Sequence, residues 1–221
     1  MTVDWELFLS SFWPILLGGI TGTIPLTIIS FTVGLFIALG IALMRLSKFR
    51  VLKSIGWFYV SVIRGTPLLV QLFFIFYALP NLGVLLDPWP SAVLAFSLNV
   101  GGYAAEVIRA AILSVPRGQW EAGYTIGYSN TQTLWRVILP QAARVAVPPL
   151  SNTFISLVKD TSLASIVLVT ELFRVARQIA TFTSEFVLIY LEAALIYWLI
   201  CLALGAAQGV LEKRLSRYVA A

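Results

Sequence analysis

Lys159 and Asp160 stand side by side in a run from Val145 to Thr170 that carries no other charge. An ionised side chain at the centre of a bilayer costs at least about 2.5–3.5 kcal/mol, so in a membrane each must face protein or water. Neighbours on a helix project about 100° apart. The pair therefore cannot simply neutralise itself, and at least one member needs a partner elsewhere. Asn152, Ser156 and Lys159 fall on one helical face, and Asn99, Tyr103 and Glu106 repeat that spacing on a second apolar segment. Two such faces predict a lined cavity, in which Asp160 and Asn99 receive ammonium or other polar groups of a solute. The competing chemistry is an internal lock, with Lys159 paired to Glu106 to hold the two segments together. Both roles stay open for Lys159 and Glu106.

Enzyme chemistry has little to stand on. The chain lacks histidine, the commonest general base and metal ligand. Its single cysteine, Cys201, lies in an apolar run and reads as a small buried hydrophobe. An intramembrane enzyme built on Asp160 or Glu106 would need a second catalytic group, so no catalytic residue and no metal site is expected.

Composition sets the solvent. Of 221 residues, 59% are hydrophobic and 11% charged, against about 25% charged in a soluble domain. Such an apolar excess is at home in lipid. The net charge of +5 fits basic loops at a cytoplasmic face. No basic patch with interleaved aromatics marks a nucleic-acid binder. Asp4 and Glu6 stand where a secretory signal would be positive, so no cleaved leader is expected.

The elements that must hold the polar groups follow from the gaps between charges. Phe12 to Met44 is uncharged and would make a helix about 50 Å long, against a hydrocarbon core of roughly 30 Å. Gly18, Gly19, Gly22 and Pro25 are breaker signals. The expectation is a short interfacial helix near 5–18 and a first span near 20–44. Further spans are expected near 60–80, 90–113, 143–168 and 187–211, with Pro67 and Pro148-Pro149 breaking helices at the cavity. The 80–90 turn and the 169–186 stretch read as loops, and Glu192 reads as reaching the interface. Trp57, Trp89 and Trp198 suit aromatic belts.

Basic residues concentrate in Arg45 to Lys53, in Arg109 to Arg144 and in Lys213, Arg214 and Arg217. The positive-inside rule then puts the N-terminus outside and the C-terminus in the cytoplasm. No repeat or second domain stands out, so residues 1–221 read as one transmembrane domain. The stretch 114–143 is too polar to span and too long for a turn.

That stretch holds Glu121-Ala122-Gly123, then Gly127, then Val137-Ile138-Leu139-Pro140. Small residues allow close backbone approach, Gly127 permits a turn between short helices, and Glu121 would complement the start of a helix. The pattern resembles the signature of ABC-transporter permeases, Glu-Ala-Ala followed by Gly and then Ile-x-Leu-Pro, with Gly123 and Val137 as departures. Arg64-Gly65-Thr66-Pro67-Leu68-Leu69-Val70-Gln71, Asn99 to Glu106 and Ser156 to Leu163 resemble the same family. The match is to its polar amino-acid branch (histidine, glutamine and arginine type). Within that branch the run is most similar to the bacterial L-cystine permeases.

The resemblance implies an all-α integral membrane fold, the type I ABC importer permease with five transmembrane helices and cytoplasmic coupling helices, in the bacterial inner membrane. It implies coupling through Glu121, Ala122, Gly123, Gly127, Leu139 and Pro140. Asn99, Asp160, Gln71, Thr66, Tyr103, Lys159 and Glu106 become candidates for binding a zwitterion, although Thr66 and Gln71 could equally bond a neighbouring helix. The implied partners are ABC ATPase subunits, a periplasmic or lipid-anchored solute-binding protein, a second permease copy in a homodimer, and membrane lipid. The chain has no phosphate-loop motif, so ATP and Mg would belong to the separate ATPase, with no cofactor in this chain. A passive amino-acid channel or uniporter is the alternative, and it would not need the docking signature.

Overall fold

The uncharged run beginning at Phe12 does not break. In the computed structural model, which describes residues 4–216, α1 (Trp5–Gly18) passes through a π-helical turn (Gly19–Thr23) into α2 (Ile24–Leu46). The stretch Trp5–Leu46 is one helix of 42 residues. The expected interfacial helix with a separate first span is therefore corrected. Pro25 lacks a donor, and the wide turn before it absorbs the defect by letting Ile24 N donate to Gly19 O. The glycines serve approach and not breakage. A Cβ on Gly22 would lie 2.4 Å from Thr170 O and 2.6 Å from Glu171 Cα.

The next segment does break. α3 (Arg50–Gly65) and α4 (Leu68–Phe73), the latter prolonged by a π-helical turn to Ala78 and a 3-10 turn to Leu82, meet at 104°. A single span near 60–80 is thus replaced by two arms. Thr66 is extended, with φ −121° and ψ 145°, as the residue before a proline must be. Gln71 then satisfies the loosened carbonyls, donating from Nε2 to Ile63 O at 2.8 Å and Thr66 O at 3.1 Å.

α5 (Pro88–Ser114) is the central helix and packs against α2, α3, α4 and α8. Phe96, Ala92, Ala95 and Ala104 meet Leu26, Ala38 and Leu72 in the main core. After it come α6 (Arg117–Thr125), α7 (Asn130–Thr133) and a π-helical turn to Ile138. α8 (Leu139–Asp160) continues as a 3-10 turn to Val167. It runs straight through Pro148 and Pro149, so the expected break there does not occur. Burial of Ala142, Ala146, Leu157 and Val158 along its length outweighs two lost backbone bonds.

The 169–186 stretch, expected to be a loop, contains a 12-residue helix, α9 (Leu172–Thr183). Glu171 starts it by accepting from Phe173 N at 2.9 Å and Arg174 N at 2.6 Å. The same buried carboxylate accepts from Tyr197 Oη at 2.9 Å and from Thr23 Oγ1 at 3.4 Å. α10 (Phe186–Ser216) closes the fold, and Ile15, Leu172, Ala176, Ile189 and Ile196 form a second core among α1, α9 and α10. Glu192 does not reach the interface: it is buried and accepts from Ser11 Oγ at 2.6 Å. Arg217 lies outside the described residues.

Among the described residues three helices, Trp5–Leu46, Pro88–Ser114 and Phe186–Arg214, are long and apolar enough to cross a membrane. Five crossings result when each bent pair counts as one, α3 with α4 and Asn130–Val167 with α9. Two of the five are thus bent. Large apolar side chains such as Phe36, at 75% exposure, cover the outer surface, which suits lipid as solvent.

Candidate functional site

The break between α3 and α4 opens onto the facing surfaces of α5 and α8. A cavity of about 420 Å³ lies there, lined among others by Thr66, Asn99, Tyr103, Asn152, Ser156 and Asp160. Each is placed for a local reason. Thr66 sits in the extended link before Pro67, where its hydroxyl donates to Val62 O at 2.8 Å and accepts from Gln71 Nε2 at 2.9 Å. Asn99 Nδ2 donates to Gln71 Oε1 at 3.1 Å. Tyr103, one turn further along α5, lies beneath the Arg64 guanidinium, 5.4 Å from its ring centre. Asn152 accepts from Gln208 Nε2 of α10 at 3.0 Å.

Asp160 is the outlier. It is half-buried where α8 tightens into its 3-10 turn; among the described residues its carboxylate accepts no hydrogen bond and forms no close ion pair, and the charge that acts on it is that of the adjacent Lys159. A carboxylate held at membrane depth beside amide and hydroxyl groups, with none of its oxygens occupied, is chemically ready for a cationic group.

Thr66, Asn99, Tyr103 and Asp160 are brought together by the fold, and Gln71 braces Thr66 and Asn99 among them. Lys159 and Glu106 are elsewhere. The stripe Asn152–Ser156–Lys159 runs along the seam between α8 and α10, so Lys159, its longest member, enters a different cavity of about 560 Å³ beside Tyr190, Trp198 and Cys201. Glu106 is paired to Arg45 at 2.6 Å and to Arg109 at 3.1 Å. The Lys159–Glu106 lock is therefore not formed, because Glu106 meets the end of α2 and the next turn of its own helix. Asn152 and Ser156 were visible in the spacing, yet they carry more of the lining than the candidate set recognised. The stacking of Arg64 on Tyr103 left no signal in the sequence. Among the described residues no cluster of His, Cys, Asp or Glu is grouped to hold a metal.

The 114–143 stretch folds into a unit of short helices. α6 and α7 meet through Gly127, whose φ of +85° is the left-handed conformation that closes a helix. Gly127 N donates to Tyr124 O at 2.9 Å and Tyr128 N to Gly123 O at 3.0 Å. Gly123 is buried against Thr133: an added Cβ would lie 2.5 Å from Thr133 Cγ2. Ser129 and Gln132 cap α7 reciprocally. Gln141 Nε2 donates to Gln119 Oε1 at 3.0 Å and ties α8 to α6. Glu121 and Ala122 are exposed, Leu139 is half-buried, and Pro140 opens α8 in the open. Glu121 lies in the second turn of α6, which starts at Arg117, so it does not complement the helix start as expected. Ile126, 67% exposed beside them, is an apolar contact point that the motif did not flag.

A family model described as the binding-protein-dependent transport system inner membrane component matches residues 30–217. The L-cystine transport system permease protein TcyB of Bacillus subtilis (strain 168) is 64% identical over 219 residues, spanning 99% of this chain and 94% of that protein. The glutamine transport system permease protein GlnP of Escherichia coli (strain K12) is 35% identical, spanning 97% of this chain and 99% of GlnP. A crystal structure of an amino acid ABC transporter with histidines superposes with a TM-score of 0.89 at 34% identity, covering 97% of this chain and all of the other.

Proposed function

Since the chain belongs to the binding-protein-dependent transport system inner membrane component family, we propose that it carries L-cystine and similar polar amino acids through the cavity beneath Thr66 and Asn99. The observation that carries this reading is the Asp160 carboxylate, which accepts no hydrogen bond among the described residues, in a cavity of about 420 Å³ that also presents Thr66, Asn99 and Ser156. The 64% identity to TcyB favours cystine among the polar amino acids. In this reading Asp160 receives a substrate ammonium, and Asn99, Tyr103 and Thr66 offer hydrogen bonds to the remaining polar groups. Gln71 holds Asn99 and Thr66 in place, while Lys159 and Glu106 act outside that contact.

The N-terminus faces outward and the C-terminus the cytoplasm, which puts the 114–143 loop where a soluble ATPase can reach it. Glu121, Ala122, Gly123, Gly127, Leu139 and Pro140 form or brace the knob that the ATPase moves. ATP and Mg are held by that separate subunit. A solute-binding protein delivers the amino acid outside, and a second copy of this chain completes the pathway as a homodimer. The ties that hold the knob, Gln141 to Gln119 and Gly123 against Thr133, support this assignment, because a loop without them would not transmit displacement into α5 and α8.

The experiment is uptake of radiolabelled cystine, arginine, glutamine and histidine into proteoliposomes containing the chain with its ATPase and binding protein. ATP-dependent cystine uptake exceeding the other three is expected. Equal uptake without ATP would establish a passive channel instead, and a preference for another amino acid would overturn cystine.

A further inference from the structure

Two recesses outside that cavity share Ile112 in their walls. The first, of about 850 Å³, lies where the ends of α2 and α5 face the α6–α7 loop. Its polar wall includes Lys48, Arg117, Asn130 and Thr131, and no carboxylate lines it. Among the described residues neither Lys48 nor Arg117 has an ion pair or a hydrogen-bond partner for its charged group. The opposite wall is apolar, formed by Leu43, Leu46, Ile112 and Leu113, with Leu113 58% exposed. Trp120 and Tyr124 complete the rim, residue types that settle at headgroup level.

The second recess is a groove of about 420 Å³ that starts at the same Ile112 and follows α2, α5 and α8 past Leu35, Leu39, Ile108 and Ala146. Thr32 is the only polar residue along it. The first recess is cationic and bordered by interfacial aromatics, and the adjacent groove is hydrocarbon-lined and reaches the exposed Phe36 on the lipid-facing surface.

We propose that these recesses together bind one anionic glycerophospholipid, its phosphate on Lys48 and Arg117 and an acyl chain along Leu39 and Ile108. A soluble anion would satisfy the cations and leave the groove bare. A zwitterionic lipid would fill the groove and place its own cation among two others. Only an anionic amphiphile matches both walls. Bound there, it bridges the end of α2 to α6 and so braces the docking loop against the spans. The leaflet follows from the orientation proposed above, whereas binding itself does not depend on it.

The test uses the whole transporter in phosphatidylcholine vesicles carrying a small fraction of photoactivatable lipid, either phosphatidylglycerol or phosphatidylcholine with the reactive group in the acyl chain. The phosphatidylglycerol probe is expected to label peptides from α2 and α5 more strongly than the phosphatidylcholine probe. Lys48→Gln and Arg117→Gln are each expected to reduce phosphatidylglycerol labelling about five-fold, with Arg117→Lys restoring it. Leu39→Trp, which fills the groove and leaves the charges alone, is expected to reduce labelling by both probes. Equal labelling by the two probes, or phosphatidylglycerol labelling indifferent to both glutamine variants, would overturn the site. Because the readout is lipid attachment, a failure of transport in these vesicles would bear on the proposed function and leave this result standing.

Discussion

Asn99 on α5 donates to Gln71 on α4 at 3.1 Å, and Gln71 in turn holds both the broken end of α3 and the hydroxyl of Thr66. One amide side chain therefore repairs the break in the second crossing and fixes two groups of the candidate cavity. The repair of the break and the lining of the candidate cavity thus share one residue.

Gln71→Leu keeps the volume and removes every one of these bonds. Leaving buried polar groups unmatched costs about 1–3 kcal/mol. The variant is expected to raise KM for uptake about ten-fold, and thermal unfolding in detergent should move down with it. An unchanged KM would remove Gln71 from the positioning role.

Asp160→Ala is expected to abolish uptake while the complex assembles normally on size exclusion. Asp160→Asn keeps a polar acceptor without charge and should lose about 10- to 100-fold in transport efficiency, the worth of a charge-assisted hydrogen bond. Uptake at wild-type affinity in the alanine variant would assign the carboxylate to something other than substrate.

Glu121→Arg alters an exposed side chain on α6 and should leave the chain folded. ATP turnover by the reconstituted complex is expected to continue without matching transport. Coupled transport at the normal ratio would refute the docking role.

Gly123→Ala tests how the 114–143 loop is built. Its Cβ would collide with Thr133 Cγ2 at 2.5 Å and Oγ1 at 2.8 Å, an overpacking of about 1–3 kcal/mol. Thr133→Ala removes both atoms, including a hydroxyl that is buried without a partner. The double variant should therefore be more stable than Gly123→Ala alone, a coupling that thermal denaturation of the four proteins would measure.

Two glycines of the long first helix should answer alanine in opposite directions. At Gly22 the new methyl meets backbone at 2.4 Å and 2.6 Å, whereas at Gly40 nothing lies within 4 Å. Gly22→Ala is expected to destabilise by at least about 1–3 kcal/mol. Gly40→Ala should be neutral or stabilise by about 0.5–1 kcal/mol. Thermal unfolding in detergent distinguishes the two, and matching shifts would contradict the packing of α1–α2 on the Thr170–Glu171 crossing.

Much of the candidate cavity was legible because its residues share helical faces. Asn99 with Tyr103 and Asn152 with Ser156 are each four apart, and that spacing places a pair on one face wherever the helix stands. Lys159 obeyed the same rule and still went elsewhere, since a face is broad enough to border two cavities and only the position of α10 decides which one a long side chain enters. Glu106 behaved similarly. Its partner Arg109 is three residues on and was readable from helical spacing, whereas Arg45 comes from the end of another helix and nothing in the sequence ranks it above Lys159.

The sequence by itself determined the lipid-suited composition, the all-helical class and the family. Apolar content, charge gaps and motif spacing are summed along the chain and survive any folding detail. Tertiary structure alone decided where the helices bend. A glycine or proline lowers the cost of a break, but the break occurs only where neighbouring packing does not repay continuity. Contact with the α9 crossing and a π-helical turn carry the first helix past Gly22 and Pro25, and core burial carries α8 past Pro148 and Pro149. At Pro67, Gln71 satisfies the freed carbonyls and the chain turns through 104°.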